Sequence, residues 1–310
     1  MPRPEAQDHA RSAESGRSRA GASLCFDAIG APWEIVTPEP LADETVGQIH
    51  ARIDAFDAAY SRFRDDSLVR RIAKSPGRYR LPDDAAPLLD LYRALHRATG
   101  GAVSPLVGHR LEHLGYDRDY SFRVTGDPAG VPVWNDDTAL WDGVFLTTRE
   151  PLLLDVGAAG KGYLVDLVAG VLDASGAREY VIDASGDLLH RGDHAIRIAL
   201  EHPSDSTLAI GVVELSNAAL CASAANRRTW GDGLHHVIDA RTGAPASEVV
   251  ATWAIAPTAL VADGLATALF FAGPAALAAE FGPDGDVETV SVHSDGSVRY
   301  SPTFGGELFE

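Results

Sequence analysis

The sequence predicts a single α+β domain, with mixed, largely antiparallel sheets and helices packed on them. Three observations predict it. Apolar residues recur at helical spacing in separate stretches before residue 100 and again after Lys161. Short alternating runs joined by turn residues fill the second half and read as hairpins. No internal repeat or linker divides the 310 residues, 45% of them hydrophobic, so one domain with a sizeable core is the economical reading.

Taken in order, residues 1–22 are rich in Arg, Ala, Ser and Glu without an apolar run. A disordered tail is expected there, with the folded domain over 23–305. Neither a secretory leader nor a lipobox-like Leu-x-x-Cys after a hydrophobic run is present, so a cytoplasmic protein is expected. Phe26 to Thr37 reads as a strand interrupted at Gly30 and Pro32. Leu41 to Phe63 reads as a helix, because Val46, Ile49, Ile53, Phe56 and Tyr60 share one face, and Arg64-Asp65-Asp66-Ser67 ends it. A second helix starts near Pro87, and Gly100-Gly101 stops it. His109 to Asp137 is polar and reads as irregular; Leu140 to Thr148 reads as strands. After the central helix, Glu179 to Asp183 is a short strand ending in the turn Ala184 to Asp187. Ile196 to Leu200 and Leu208 to Leu215 form a hairpin, and Ala218 to Ser223 is a strand. Val249 to Pro257 is a strand, Ala262 to Ala272 a helix, and a last hairpin turns on Ser294-Asp295-Gly296.

Composition excludes some functions. Asp and Glu outnumber Lys and Arg by 44 to 26, a formal charge of -18. Such a field repels nucleic acid and anionic membranes, and any phosphate ligand needs a local cation or aligned N–H groups. The most apolar stretch, Val249 to Ala272, carries Thr252, Pro257, Thr258, Asp263 and Thr267, so no membrane span is expected. Cys25 and Cys221 fit no metal spacing and read as buried thiols.

The run Asp155 to Asp166 organises the rest. Leu152 to Leu154 reads as a strand end, Gly157, Gly160 and Gly162 follow within six residues around Lys161, and Tyr163, Leu164, Leu167, Val168, Val171 and Leu172 then fall at helical spacing until Gly176. A helix entrance offers free N–H groups and a partial positive charge, which suits an anion. The run matches neither the Walker spacing nor the dinucleotide fingerprint. Asp263 and Thr267 stand four apart, so on a helix both reach one hard cation such as Mg²⁺; the other reading is that Asp263 caps the helix and Thr267 bonds back to a carbonyl. In His235 to Gly243 a strand carries His236 as a candidate general base, while Asp239 either assists it or fixes an Asx-turn. Asp187 ends a strand, where it bonds a ligand or holds a turn. His190, His194 and His202 read as solvated surface.

Together these residues resemble the ApbE family of FAD:protein FMN transferases. Asp155 to Asp166 is similar to the family's D-[LV]-G-G-x-A-K-G-Y-x-[VL]-D; Asp183 to Asp187 to N-x-G-G-D; His235 to Gly243 to S-H-I-I-D-P-x-T-G; Ala256 to Ala268 to A-P-T-A-x-x-A-D-A-L-[SA]-T-A; and Gly100 to Gly108 to G-G-x-[FV]-D-P-x-[VL]-G. The resemblance implies a single domain of that family's fold that splits FAD at its diphosphate, attaches FMN by a phosphoester to a Thr or Ser of a target flavoprotein, and releases AMP. It implies that Asp263, Thr267 and the Gly160 carbonyl hold Mg²⁺. It places Lys161 and Asp166 at the nucleotide, Ile29 and Gly30 beside the flavin, and Gly157, Asp187 and Ser223 around the cofactor. His236 is the implied base, with Asp239 fixing its turn. Departures concentrate in the flavin cradle: Cys221 to Asn226 stands where the family has A-T-S-G-x-Y, and Ser104, Asp183, Ser185, Ala240 and Gly160 replace Asp, Asn, Gly, Pro and Ala. Two alternatives remain, an FAD pyrophosphatase with water as acceptor and a flavin-binding protein without turnover.

Overall fold

A computed structural model describes residues 21–125, 130–231 and 233–309 of the chain. Most of the expected tail, residues 1–20, lies outside the described residues. The chain opens with β1 (Ala22–Ala28) and β2 (Ala31–Thr37), an antiparallel hairpin rather than one interrupted strand. The reason is Ile29-Gly30: both residues have positive φ, 46° and 77°, and two such residues in succession reverse the chain. Helix α1 (Asp43–Tyr60) buries Ile49, Ile53, Phe56 and Tyr60, as the periodicity predicts. Helix α2 (Leu68–Lys74) and strand β3 (Gly77–Arg80) follow, both missing from the sequence reading. The signal for α2 was present: the Ser67 hydroxyl accepts from the Arg70 N–H as an N-cap. Helix α3 (Ala86–Ala98) ends at Gly100 and Gly101, both at positive φ, and α4 (Gly108–His113) lies in the stretch expected to be irregular.

Strands β4 (Ala139–Trp141) and β5 (Phe145–Thr148) join β3 in a three-stranded sheet. Leu152 to Leu154 is buried but pairs with no strand; the Asp155 N–H instead donates to the Pro105 carbonyl, 2.8 Å away. Helix α5 (Gly160–Ala174) leads to β6 (Tyr180–Asp183) and β7 (Asp187–Arg191). Next come the β8 (Ile196–His202) and β9 (Asp205–Leu215) hairpin and β10 (Ala219–Ala224). The ribbons β11 (Thr229–Trp230) with β12 (Leu234–His235) and β13 (Ile238–Asp239) with β14 (Ala244–Pro245) precede the long strand β15 (Val249–Ala256). Helices α6 (Ala259–Ala268) and α7 (Pro274–Phe281) and strands β16 (Glu288–His293), β17 (Val298–Tyr300) and β18 (Glu307–Leu308) complete the chain. Among the described residues no helix is long and apolar enough to cross a membrane.

The main sheet has eight strands in the order β1-β2-β6-β7-β10-β15-β16-β17, every neighbour antiparallel. Its two faces serve two cores. Along β15 the period-2 alternation sends Ala254 and Ala256 to the helices, and Ala251, Trp253 and Ile255 to the β18-β9-β8 sheet behind. Small residues face the helices because α6 lies directly on the sheet there. Thus α5 and α6 lie side by side on one face, their N-terminal ends meeting at the β6–β7 turn.

One buried cation joins the central run to an aromatic cluster. The Arg62 side chain is 2% exposed; its Nε donates to Asp155 and one terminal nitrogen to the Tyr116 carbonyl, both at 2.6 Å. Its guanidinium lies 4.2 Å from the Phe63 ring centroid and 4.8 Å from that of Tyr116. Arg62→Met leaves Asp155 without its partner, so a loss of about 2 kcal/mol is expected in urea unfolding. A loss under about 0.5 kcal/mol would show that solvent at the half-buried Asp155 already does the work of Arg62. Two other sequence expectations change. Cys25 is exposed, since β1 is an edge strand, and only Cys221 is buried. His190 is buried in β7, its Nδ1 accepting from the Asn217 N–H.

Candidate active site

The site is built where α5 and α6 cap each other. Asp166, one and a half turns into α5, accepts from the Ala259 and Leu260 N–H groups at 2.9 and 2.8 Å. Asp263, in the second turn of α6, accepts from the Gly162 N–H at 2.9 Å. Each helix therefore supplies the carboxylate for the other's N-terminus, where free donors and a partial positive charge favour it. The α6 cap is Thr258, whose hydroxyl accepts from the Val261 N–H, not Asp263. At the α5 entrance stands the Asp263 carboxyl. Asp166, placed by resemblance at the nucleotide, has both oxygens on the α6 N-terminus. Burial pushes Asp166 up to about 6 against the pull of those two N–H groups.

Gly162 permits this contact. A Cβ there would meet the Ala259 carbonyl oxygen at 2.1 Å and the Asp263 Cβ at 2.6 Å. The glycine there allows the close helix–helix approach. Gly157 is exposed, and its N–H donates to Asp155. Gly160 begins α5 and is buried against Val156. The turn between them is stapled by Tyr92, whose hydroxyl accepts from the Ala158 N–H at 3.1 Å. In sequence Tyr92 is one more apolar position on α3; nothing there announces its hydroxyl's task.

Lys161 points across to the β6–β7 turn. Its Nζ donates to the Ala184 and Ser185 carbonyls at 2.8 and 3.0 Å and lies 3.4 Å from an Asp187 oxygen. Ser185 and Gly186 take φ of 58° and 95° to aim those carbonyls inward. Asp187 is fully buried, opposite Cys221 in the strand register, and neither carboxylate oxygen has a well-formed hydrogen bond. Burial raises the Asp187 pKa despite Lys161. Burial, with the neighbouring Asp187 charge, raises that of Asp263 well above the carboxylate range. Thr267 follows Asp263 by one helical turn and is half-buried. The Asp187 and Asp263 carboxyls thus lie near each other and near Lys161. Among the described residues no three His, Cys, Asp or Glu side chains group to hold a metal ion, so a cation here would also draw on carbonyl, hydroxyl and ligand oxygens.

The remaining candidates lie on other elements. The Ile29-Gly30 turn is tied to it through Ser185, whose hydroxyl donates to the Pro32 carbonyl at 2.9 Å. Ser223 lies on β10 opposite Thr252, its carbonyl accepting from the Thr252 hydroxyl. His236 does not sit within a strand: it occupies a bend between β12 and β13, half-buried. Asp239 fixes the following turn. It accepts from the Arg241 N–H at 2.9 Å and pairs with the Arg241 guanidinium at 2.6 Å, which holds its carboxyl below the usual range. The Asx-turn reading of Asp239 holds.

A model of the ApbE family matches residues 29–288, a span that takes in every candidate from Ile29 to Thr267. The chain belongs to the ApbE family. Among its relatives, the FAD:protein FMN transferase of Klebsiella pneumoniae (strain 342) is 26% identical over 288 residues, 85% of this chain and 82% of that protein. The FAD:protein FMN transferase of Salmonella typhimurium is 27% identical over 252 residues, 75% of this chain and 72% of that protein. The flavin transferase ApbE from Vibrio cholerae superposes with a TM-score of 0.77 at 21% identity, covering 93% of this chain and 99% of that one. The ApbE protein of Thermotoga maritima gives 0.76 at 22%, covering 92% and 98%. The α+β class and the ApbE fold expected from sequence are both met.

Proposed function

We propose that the chain is a Mg²⁺-dependent FAD:protein FMN transferase acting on a Thr or Ser hydroxyl of a flavoprotein. The observation that carries this is the meeting of Asp263 with the α5 entrance beside Lys161, in a chain whose relatives bear that name. The residues present fit the cation. The donor set is all oxygen, which suits Mg²⁺ over softer metals. The buried, poorly bonded oxygens of Asp187 are costly without more positive charge than Lys161 supplies. Asp263, Thr267 and the Gly160 carbonyl would hold the ion, with Asp187 behind them. Bound there, Mg²⁺ supplies positive charge to the diphosphate.

The chain's own residues do the rest. Lys161 fixes an ammonium charge on the wall facing the phosphates and orders the Ala184-Ser185 turn. Asp166 keeps the α6 N-terminus, and so Asp263, in place. His236 takes the proton of the accepting hydroxyl as its oxygen bonds the flavin-side phosphorus. The bond from that phosphorus to the bridging oxygen breaks, and the oxygen leaves with AMP. Catalysis of this kind is mostly positioning and charge stabilisation. His236→Asn is expected to lower transfer at least ~100-fold, the ordinary yield of a general base, with FAD affinity kept. Transfer at the wild-type rate would remove His236 from that role.

The test of the whole reading is an intact mass after mixing the protein with FAD, Mg²⁺ and an acceptor domain. A gain of one FMN phosphoester, with AMP released, is expected. FMN and AMP free in solution would make the protein an FAD pyrophosphatase. FAD bound but uncleaved would make it a flavin-binding protein.

A further inference from the structure

Helix α5 begins without a cap of its own. Ala159, the residue before it, has φ of −151° and ψ of −1° and no side-chain oxygen to offer the first turn. The turn that leads into the helix, Asp155 to Gly160, is held from other elements instead. The Asp155 N–H donates to the Pro105 carbonyl at 2.8 Å, and the Asp155 carboxylate accepts from Arg62 at 2.6 Å. The third hold is Tyr92. Its hydroxyl accepts from the Ala158 N–H at 3.1 Å and donates to the Asp155 carbonyl at 3.4 Å.

Packing alone would be served by phenylalanine. The rest of the buried face of α3 is Leu88, Leu89, Leu91 and Leu95, and Tyr92 is fully buried with them. A phenol in such a place costs stability unless its oxygen is hydrogen-bonded. Burial, with the nearby Asp155 charge, raises the Tyr92 pKa well above its ordinary value, so the group stays a neutral O–H that gives one bond and takes another. The same part of α3 meets α6. A Cβ on Gly264, the residue after Asp263, would stand 2.9 Å from Leu91 and from Leu95, and 3.6 Å from the Ala159 Cβ. Residues 91–95 of α3 therefore touch both the α5 entrance and the α6 residue beside Asp263. We propose that Tyr92 is a positioning residue for the cation: its hydroxyl holds the Asp155–Gly160 turn, and with it the Gly160 carbonyl, against α6, and so sets the affinity for Mg²⁺. The inference rests on the transferase reading above, which assigns that carbonyl and Asp263 to the ion. Mg²⁺ demands near-ideal coordination geometry, so a loosened turn loses the ion before the fold is lost.

The test is Mg²⁺ binding by Tyr92→Phe, which keeps the ring in its slot and removes the oxygen. The rise in Tm on titrating Mg²⁺ alone reads affinity without turnover, and the Mg²⁺ dependence of FMN transfer reads it again. Tyr92→Phe is expected to need about tenfold more Mg²⁺ in both, the weight of one buried hydrogen bond, with kcat at saturating Mg²⁺ within about twofold of wild type. Tyr60→Phe is the control. The Tyr60 hydroxyl is also buried but has no hydrogen-bond partner among the described residues, so its removal should leave the Mg²⁺ midpoint unchanged. A Tyr92→Phe protein whose Tm falls while its Mg²⁺ midpoint keeps the wild-type value overturns the proposal, because the hydroxyl is then structural only. An equal shift of the midpoint in Tyr60→Phe overturns it too, as does a loss of kcat that saturating Mg²⁺ does not restore. A wild-type chain whose Tm and transfer both ignore Mg²⁺ overturns the cation assignment itself, and this inference with it.

Discussion

Asp263→Asn is expected to abolish FMN transfer, by at least ~10³-fold, and at the same time to stabilise the cation-free protein. The loss follows from removing the charged ligand whose cation would neutralise the diphosphate, an effect of several kcal/mol at about 1.4 kcal/mol per tenfold. The gain follows from burial. Asp263 is 4% exposed and its pKa is raised by desolvation and by Asp187, so its ionised form costs stability. The sign is that of an acid whose folded pKa exceeds its unfolded one. Its contribution is full below the ordinary carboxylate range near 4 and is lost as pH rises through the raised value. Asp263→Asn removes that loss and keeps an oxygen for the Gly162 N–H. Melting curves with and without Mg²⁺ check both halves. Wild type should melt higher with Mg²⁺ at neutral pH, because the ion binds only the folded chain, and Asp263→Asn should not respond. Undiminished transfer, or a Mg²⁺ response that survives the substitution, would remove Asp263 from the cation site.

Gly162→Ala carries the second large effect. The added methyl would stand 2.1 Å from a backbone carbonyl oxygen of α6 and 2.6 Å from the Asp263 Cβ, and neither can rotate away. Helices α5 and α6 must separate, which breaks the Gly162–Asp263 bond and strains the Asp166 cap across the same seam. Overpacking against backbone is expected to cost about 3 kcal/mol, a fall in Tm of roughly 5–10 °C in a domain this size, with transfer lost as Asp263 shifts. Gly170, exposed on the same helix with nothing near its Cβ, is the control; Gly170→Ala is expected to raise stability by about 0.5–1 kcal/mol through helix propensity alone. If both substitutions behave alike, the close approach at Gly162 is not what sets the helix pair.

How far the sequence could be read depended on the range of the interaction. Helices α1, α3 and α5 followed from periodicity, since one buried face writes itself into every third or fourth residue. The shorter α2, α4 and α7 left too few turns for a periodic signal and were missed, although Ser67 marked one start. The β1–β2 reversal escaped because it uses Ile29, a residue type that rarely takes positive φ. The His235 to Gly243 run looked like one strand by composition, yet it divides into two ribbons bent at His236. The candidate residues themselves were legible as motifs. Their partners were not: Arg62 at the end of α1 carries no local mark of its bond to Asp155, 93 positions later.

The sequence by itself determined the class of fold and the residues that gather at the α5 entrance, because periodicity and local spacing are properties of neighbouring residues. Only the tertiary structure decided what those residues do to one another. Asp166 and Asp263 exchange caps because two helix N-termini meet across a glycine, and Asp187 is short of donors because β7 carries it beneath Lys161. Those are consequences of which backbone dipoles and charges are brought within 3 or 4 Å of each other in a place that water does not reach. Folding sets those distances between residues about a hundred positions apart.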